Sequence, residues 1–282
     1  MITLDSFKSK SKKIRLTQND LINYYKDKKV KLKKLQTQLA NLQERIQAEG
    51  KHSVLIIFQA MDAAGKDSTI RNVFGKCDIA AIENISFKQP SKEESAHDFL
   101  WRCHRKTPKR GQITLFNRSY YEEVLVVKVH PQWLVAQNIN QPINNKFWNK
   151  RYHSINDFEK HLQESATTVI KFMLDVSQNE QHNRLKRRYS LPEKQWKFST
   201  GDIKESKLWK NYQRAIDEML KKTSTELCPW HVIPADDKPK MRKIVTEIII
   251  NELEKLSPQY PPMQKFNEKD LELIDDLMSG KI

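Results

Sequence analysis

The sequence predicts an α/β fold in which a parallel β-sheet is flanked by helices. Uninterrupted apolar segments, most clearly residues 54–58 (VLIIF) and 168–176, have the composition of strands that are buried on both faces of a parallel sheet. They alternate with segments that show helical periodicity or capping signals, which is the pattern of strand–helix–strand units. The 282 residues, 38% of them hydrophobic, are enough for one large domain or two small ones.

Residues 1–50 are predicted to form a basic N-terminal segment followed by a helix. Thr17 with Asp20 three residues later is a capping signal for the start of a helix. Between residues 32 and 46, Leu and Ile recur at spacings of three and four, which predicts one apolar helical face. We expect this face to pack on the body of the protein, with a contact between subunits as the alternative.

Residues 51–257 are predicted to form the main domain and residues 258–282 a tail. The predicted strands are 54–58, 85–88, 113–116, 168–176 and 231–233. Three predicted helices begin at Lys66, at residue 146 and at residue 241. Three more begin at capping boxes, namely Ser91 with Glu94, Ser177 with Glu180, and Asp202 with Glu205. The helix that begins at Ser91 is predicted to end near Arg105. Three prolines in the tail favour an extended path over the surface.

The chain is strongly basic, with 50 Lys and Arg against 35 Asp and Glu and a formal charge of +15. Such an excess favours a polyanionic partner, with solubility alone as the alternative. No apolar run approaches the roughly 18 residues of a membrane span, and residues 1–13 lack the apolar core of a signal peptide. The three cysteines are too far apart for a zinc cluster. We therefore expect a cytoplasmic protein without a membrane segment.

A phosphate-binding loop is predicted directly after the strand at 54–58. The segment QAMDAAGKDST resembles the pattern G-x-x-x-x-G-K-[ST], in the required context of strand, loop and helix. Gly65 lets the backbone approach a phosphate and Lys66 supplies a positive charge. Ala60 and Asp67 depart from the pattern, so a turn that happens to contain Gly-Lys is the alternative. Asp62 favours the loop, because a carboxylate among phosphates needs a metal ion between them.

A second polar cluster follows the strand at 113–116. Asn117 and Arg118 lie at the carboxyl end of that strand, where open α/β sheets bind ligands. The guanidinium of Arg118 can hold two phosphate oxygens at once, and an ion pair with Glu122 or Glu123 is the structural alternative.

A basic lid is predicted at about residues 181–203. Arg184, Arg187 and Arg188 share one face of a helix, and Lys194 and Lys197 flank Trp196. Beside a phosphate loop, this segment is interpreted as a mobile lid that places arginines over the transferred phosphoryl group. A solvated basic face is the alternative.

Taken together, these segments resemble the polyphosphate kinase 2 family over residues 15–258. The resemblance rests on AMDAAGKDST, SFKQPSKEESAHDFLWRCHRKTPKRG, FNRSYYEEVLVVKVHP, PEKQWKFSTGD and STELCPWHVIPADDK. It is greatest for the branch that acts on nucleoside mono- and diphosphates. It implies a P-loop kinase fold similar to thymidylate kinases, with a helical lid. The implied reaction moves a phosphoryl group between inorganic polyphosphate and AMP/ADP or GMP/GDP, with Mg²⁺, or Mn²⁺ in its place, as cofactor.

The resemblance also implies roles for individual residues. Asp62 and Asn117 would hold the metal ion, and both would act in catalysis together with Lys66 and Arg118. Phosphate would be bound by the loop, the strand end and the lid, through Ala63, Ala64, Gly65, Lys66, Asp67, Ser68, Arg118, Arg184, Arg187 and Arg188. The family usually has aspartate where this chain has Asn117, and we expect the amide to slow turnover.

Two other functions are weighed against this one. An ATP-dependent P-loop nucleotide kinase would share the phosphate loop but ignore polyphosphate. A nucleic-acid binder would use the basic surface, but the sequence contains no recognition motif for DNA or RNA. We expect polyphosphate and nucleotides as ligands, no specific nucleic acid, and a homo-oligomer (dimer or tetramer).

Overall fold

The computed structural model describes residues 3–8, 16–26, 28–139 and 141–281. Within these ranges the strands are β1 Ser53–Ala60, β2 Ile82–Ser86, β3 Ile113–Asn117, β4 Thr167–Asp175 and β5 Trp230–Pro234. They form one parallel sheet in the order β2-β3-β1-β4-β5, which confirms the predicted fold class. The Lys-rich residues 9–15 of the predicted basic segment lie outside the described residues.

Helices surround this sheet. The α-helices are α1 Gln18–Tyr25, α2 Leu32–Glu49, α3 Lys66–Val73, α4 Lys92–Ala96, α5 Trp101–His104, α6 Val126–Val129, α7 Asn145–Glu164, α8 Gln178–Ser190, α9 Pro192–Gln195, α10 Thr200–Lys207, α11 Trp209–Thr223, α12 Lys238–Glu254 and α13 Glu268–Met278. Short 3-10 helices span Leu4–Phe7, Ile79–Ala81, Tyr120–Val124 and Pro131–Gln137. None of the helices in the described ranges has the length and apolar composition needed to cross a membrane.

The position of β1 at the centre of the sheet follows from its composition. Its residues 54–58 are completely buried, as an apolar run covered on both faces requires. In the parallel register, Phe58 of β1 lies beside Asn117 of β3 and beside Phe172 of β4. The loop that follows β1 and the residues that follow β3 therefore leave the sheet next to each other.

The apolar face of α2 packs on the body of the protein, as predicted. Leu35, Leu39, Leu42 and Ile46 are buried, and α2 lies against α12. The helix ends at Gly50, whose φ of 63° is a left-handed conformation that favours glycine. This contact fixes α12 beside the sheet and leaves the α2 stripe inside the protein.

Two predicted elements differ from the structure because local signals were incomplete. The second strand is Ile82–Ser86, earlier than the predicted 85–88, because an edge strand with exposed polar residues lacks the apolar run of a buried one. The predicted single helix from Ser91 to Arg105 is wrong: α4 starts at the Ser91 capping box but ends at Ala96. Asp98 then accepts hydrogen bonds from Leu100 N and Trp101 N, and α5 begins there.

Two of the predicted capping residues, Thr17 and Ser177, cap their helices, whereas Asp202 does not. The box of Thr17 and Asp20 is present, and Ser177 accepts a hydrogen bond from Glu180 N. Asp202 is not a cap, because α10 begins earlier, with Ser199 accepting from Gly201 N. The tail contains α13 in addition to its extended part, and a capping box of Asn267 with Asp270 starts this helix.

Candidate active site

The loop between β1 and α3 has the shape of a phosphate-binding loop. Ala63 (φ 63°) and Gly65 (φ 104°) both adopt left-handed conformations, which turn the chain into the start of α3 at Lys66. The Lys66 side chain is buried and folds back, so that Nζ donates to the carbonyl oxygen of Ala60 at 3.1 Å. Burial, and then the charge of Arg118, lower the pKa of Lys66. A bound phosphate would place a negative charge beside this ammonium group and thereby raise the pKa of Lys66 again.

Arg184 fixes the position of this loop through hydrogen bonds to its backbone carbonyl oxygens. Its Nη1 donates to the carbonyl oxygens of Ala63 (3.2 Å) and Ala64 (2.7 Å), and its Nη2 to those of Ala235 (2.7 Å) and Asp236 (3.0 Å). Its Nε donates to Glu180 at 2.7 Å, so all five N–H groups are used. This buried side chain ties the loop to the turn between β5 and α12. The interpretation of Arg184 as an arginine of a mobile lid is therefore wrong.

Arg118 lies at the carboxyl end of β3 and faces two carboxylates. Its backbone has a φ of 66°, and its N–H donates to Phe58 O at 3.1 Å, which continues the pairing of β3 with β1. The guanidinium donates to Asp62 at 2.7 Å and to Glu122 at 3.2 Å. The ion pair with Glu122 is thus present, but the guanidinium remains 37% exposed toward the cavity and can also reach a ligand.

Asn117 faces the first turn of α3 rather than Asp62. Its Nδ2 donates to Asp67 at 2.8 Å and to Ser86 Oγ at 3.3 Å. Burial would raise the pKa of Asp67, but the hydrogen bond from Asn117 and the charge of Lys66 outweigh it and lower this pKa. Asn117 and Asp67, one of the two residues that depart from the loop pattern, therefore form a hydrogen-bonded pair.

These groups line a cavity of about 840 Å³ at the carboxyl edge of the sheet. Among the described residues, nine cations line it: Lys66, Lys88, Arg118, Arg184, Arg187, Arg188, Lys194, Lys197 and Lys238. Three acids do so: Asp62, Asp67 and Glu193. The cavity therefore has a large excess of positive charge, and it attracts anions strongly.

The predicted lid borders this cavity with α8, α9 and the residues that directly follow α9. Arg187, Arg188, Lys194 and Lys197 all line the cavity from this side. Arg188 donates to Asp202 at 2.7 Å, which connects α8 to α10, and Lys197 lies 4.0 Å from Asp67 across the opening. The structure thus brings the predicted loop, strand end and basic segment together around one space.

Sequence reasoning missed two of the cavity's cations, Lys88 and Lys238. Lys88 follows the carboxyl end of β2, and Lys238 follows that of β5. Because ligands bind at the carboxyl ends of parallel strands, these positions in the sequence could have identified both lysines. It also missed a second cavity of about 500 Å³, lined partly by Phe87, Val126 and Trp133. Arg118 lines both cavities, together with Phe87, Lys88 and Gln89, so the two spaces adjoin at these residues.

A parallel sheet in this order, with a lysine-bearing phosphate loop after its central strand, defines a P-loop kinase-like phosphotransferase. A family model described as Polyphosphate kinase 2 matches residues 23–261. The chain belongs to the polyphosphate kinase 2 family.

Relatives and solved structures support this membership. The chain is 44% identical, over 88% of its length and 88% of the relative's, to the ADP-polyphosphate phosphotransferase of Rhodopseudomonas palustris. It is 43% identical to the AMP/ADP-polyphosphate phosphotransferase of Meiothermus ruber, over 83% of this chain and 84% of that one. The crystal structure of polyphosphate kinase 2 from Arthrobacter aurescens TC1 superposes with a TM-score of 0.81 at 34% identity, covering 98% of this chain and 91% of that chain.

The hydrogen bonds of Arg184 predict that its charge alone cannot replace it. Arg184→Lys keeps the positive charge but offers three donors from one atom, so it cannot span the carbonyl oxygens of Ala63, Ala64, Ala235 and Asp236. We expect kcat/KM to fall by about 10²-fold, because the loop loses its position. Steady-state kinetics test this, with thermal unfolding measured in parallel. Arg214→Lys, at an exposed position of α11 that does not line the cavity, is the matched control and should keep wild-type activity, whereas wild-type kinetics for Arg184→Lys would contradict the assignment.

The pairing of Asn117 with Asp67 predicts the effect of an aspartate at position 117. Asn117→Asp would replace a hydrogen bond of 2.8 Å with two facing carboxylates, which a divalent cation can bridge. We expect turnover at saturating Mg²⁺ to rise at least about tenfold, equivalent to about 1.4 kcal/mol of barrier, and the melting temperature without Mg²⁺ to fall.

Asn117→Ala is the control for that substitution, because it removes the hydrogen bond without adding a charge. We expect Asn117→Ala to have a lower melting temperature than the wild-type protein and no higher turnover at saturating Mg²⁺. Equal turnover for the wild-type protein and Asn117→Asp would show that residue 117 does not organise the metal ion.

Proposed function

We propose that this protein transfers phosphoryl groups between inorganic polyphosphate and nucleoside mono- and diphosphates, AMP/ADP or GMP/GDP. The observation that carries the proposal is the cavity with nine cations around a phosphate loop. A polyphosphate chain carries negative charge along its whole length and has no other chemical feature to recognise. Relatives named for this reaction with ADP and with AMP/ADP agree with it.

The two cavities suggest where each substrate binds. The polyphosphate chain would lie in the large basic cavity, with its terminal phosphates on the loop and Lys66. The nucleoside would occupy the second cavity, whose aromatic and aliphatic side chains suit a base. The guanidinium of Arg118 lies at the junction, so the transferred group would pass beside it.

The side chains at the junction have distinct roles in this arrangement. Backbone N–H groups at the start of α3 and the Lys66 ammonium would hold the phosphoryl group that moves. Arg118, already oriented by Asp62 and Glu122, would stabilise negative charge that is shared between the two oxygens. Arg187 and Arg188 would cover the group and exclude water, so that it passes to the nucleotide and not to solvent.

The donor set in the cavity fits Mg²⁺, or Mn²⁺ in its place. Among the described residues no cluster of three or more His, Cys, Asp or Glu side chains could hold a metal ion by itself. Mg²⁺ is usually held by one or two carboxylates together with substrate phosphates, and Asp62 and Asp67 both line the phosphate cavity. Asp62 would hold it, with Asp67 and Asn117 as further oxygen-bearing side chains that line the cavity. The ion would neutralise phosphate oxygens during transfer.

The alternative, an ATP-dependent nucleotide kinase, is not favoured by the family match and the relatives. A cytoplasmic location and a homo-oligomer of two or four subunits stay predictions.

A direct assay tests the proposal. The protein is incubated with Mg²⁺, long-chain polyphosphate and AMP or ADP, and then with ATP in place of polyphosphate. We expect ADP and ATP to form with polyphosphate as the phosphoryl donor. Transfer that requires ATP and ignores polyphosphate would overturn the proposal in favour of the alternative.

Lys66 gives the sharpest prediction for a single residue. Lys66→Ala removes the buried ammonium group from the loop but leaves the hydrogen bonds of Arg184 to the loop carbonyls in place. We expect the transfer rate to fall by about 10²–10³-fold, equivalent to about 2.7–4 kcal/mol. Single-turnover rates with polyphosphate and ADP measure this. Unchanged turnover in a folded variant would mean that the loop does not bind the transferred group.

A further inference from the structure

A row of basic side chains leaves the phosphate cavity along the groove between α3 and α12, two helices that pack against each other. On α12, Lys238 and Arg242 stand one turn apart. On α3, Arg71 lies one turn beyond Ser68, which lines the cavity. We call Lys238, Arg242 and Arg71 the groove cations.

The row starts inside the cavity and continues outside it. Lys238 lines the cavity, and its Cε lies 3.6 Å from the place that a Cβ on Gly65 would occupy. Arg242 follows about 6 Å further along the helix axis, because four residues rise at 1.5 Å each. Neither Arg242 nor Arg71 lines the cavity. The row therefore extends the positive charge of the catalytic cavity away from the reacting groups.

Within the described residues, the groove cations form no ion pair. Two acids beside them already have partners: Glu180 accepts from Arg184, and Asp237 accepts from Lys240. The buried Nε of Arg242 has no acceptor in the protein within hydrogen-bond distance. Unpaired like charges in neighbouring turns of two helices oppose folding unless an anion lies between them.

The directions in which the pKa values of Lys238 and Arg242 shift agree with this mutual repulsion. Burial, and then the charges of Arg184 and Arg242, lower the pKa of Lys238. Burial, and then the charge of Arg71, lower the pKa of Arg242. Each of these shifts would be reversed by an anion in the groove.

We propose that the groove cations bind the distal part of a long polyphosphate chain whose end lies in the catalytic cavity. This inference rests on the proposed function and adds a second subsite to it. The ligand is a chain of bare phosphates and not a nucleic acid, since neither α3 nor α12 contains an aromatic residue on which a base could stack. The groove cations therefore distinguish long from short polyphosphate, because only a chain long enough to leave the cavity reaches them.

The test compares short and long substrates in one variant. Arg71→Gln with Arg242→Gln removes the two outer charges and leaves every residue of the cavity in place. With long-chain polyphosphate and ADP, we expect KM to rise about tenfold with kcat within twofold of wild type. With linear tripolyphosphate, both constants should stay within twofold. The matched control is Lys160→Gln with Lys221→Gln, which removes two exposed charges on α7 and α11 and should affect neither substrate.

A binding measurement provides a second readout. The dissociation constant for long-chain polyphosphate, titrated at several salt concentrations, should lose about 1 to 2 units of log–log slope in the double variant, because two contacts no longer release counterions. An equal loss with tripolyphosphate, or no loss with long chains, would overturn the proposal. Weaker binding of single-stranded oligonucleotide with unchanged binding of long-chain polyphosphate would also overturn it, in favour of a nucleic-acid site. Failure of the proposed function is distinguishable, because wild-type protein would then use neither polyphosphate.

Discussion

Positive charge gathered at one edge of the sheet is the constraint on which the rest of this structure depends. Cations in one cavity repel each other, so several of them are held in place by acceptors of the protein. Lys66 donates to a backbone carbonyl of its own loop, and Arg184 uses all five donors on four carbonyls and Glu180. Among the cavity cations that the structure describes, Arg118, at the junction of the two cavities, is the one oriented by two carboxylates. The cavity is thereby preorganised for an anion that the protein itself does not supply.

The parallel register of the sheet turns this charge into a site. Phe58 lies beside Asn117, so the loop after β1 and the residues after β3 leave the sheet together. The Asn117–Asp67 hydrogen bond then joins β3 to the first turn of α3, and the Arg118–Asp62 ion pair joins β3 to the loop. Arg184 connects the same loop to the turn after β5. Three strands of the sheet thus determine the position of one phosphate loop.

The sequence predicted those parts of the site that depend on residues close together in the chain. The loop follows directly from a buried strand, and Arg118 follows directly from another, so both could be found without a structure. The role of Arg184 could not, because its acceptors lie some 120 and 50 residues away. Lys238 was missed for the same reason, since its place beside Gly65 depends on the packing of α12 against α3. The polar edge strand β2 and the exposed helix α13 lack the apolar signals on which strand and core assignments depend.

The central claim is that this cavity is built for a polyanionic chain, and the melting temperature without nucleotide tests it most directly. A ligand that binds the folded state at about a hundred times its dissociation constant stabilises it by about 2.7 kcal/mol. For a chain of this size, that corresponds to a rise of about 5–10 °C. We expect this rise with long-chain polyphosphate and a much smaller one with sulfate at the same ionic strength. Equal shifts with the two anions, or no shift with polyphosphate, would contradict the account.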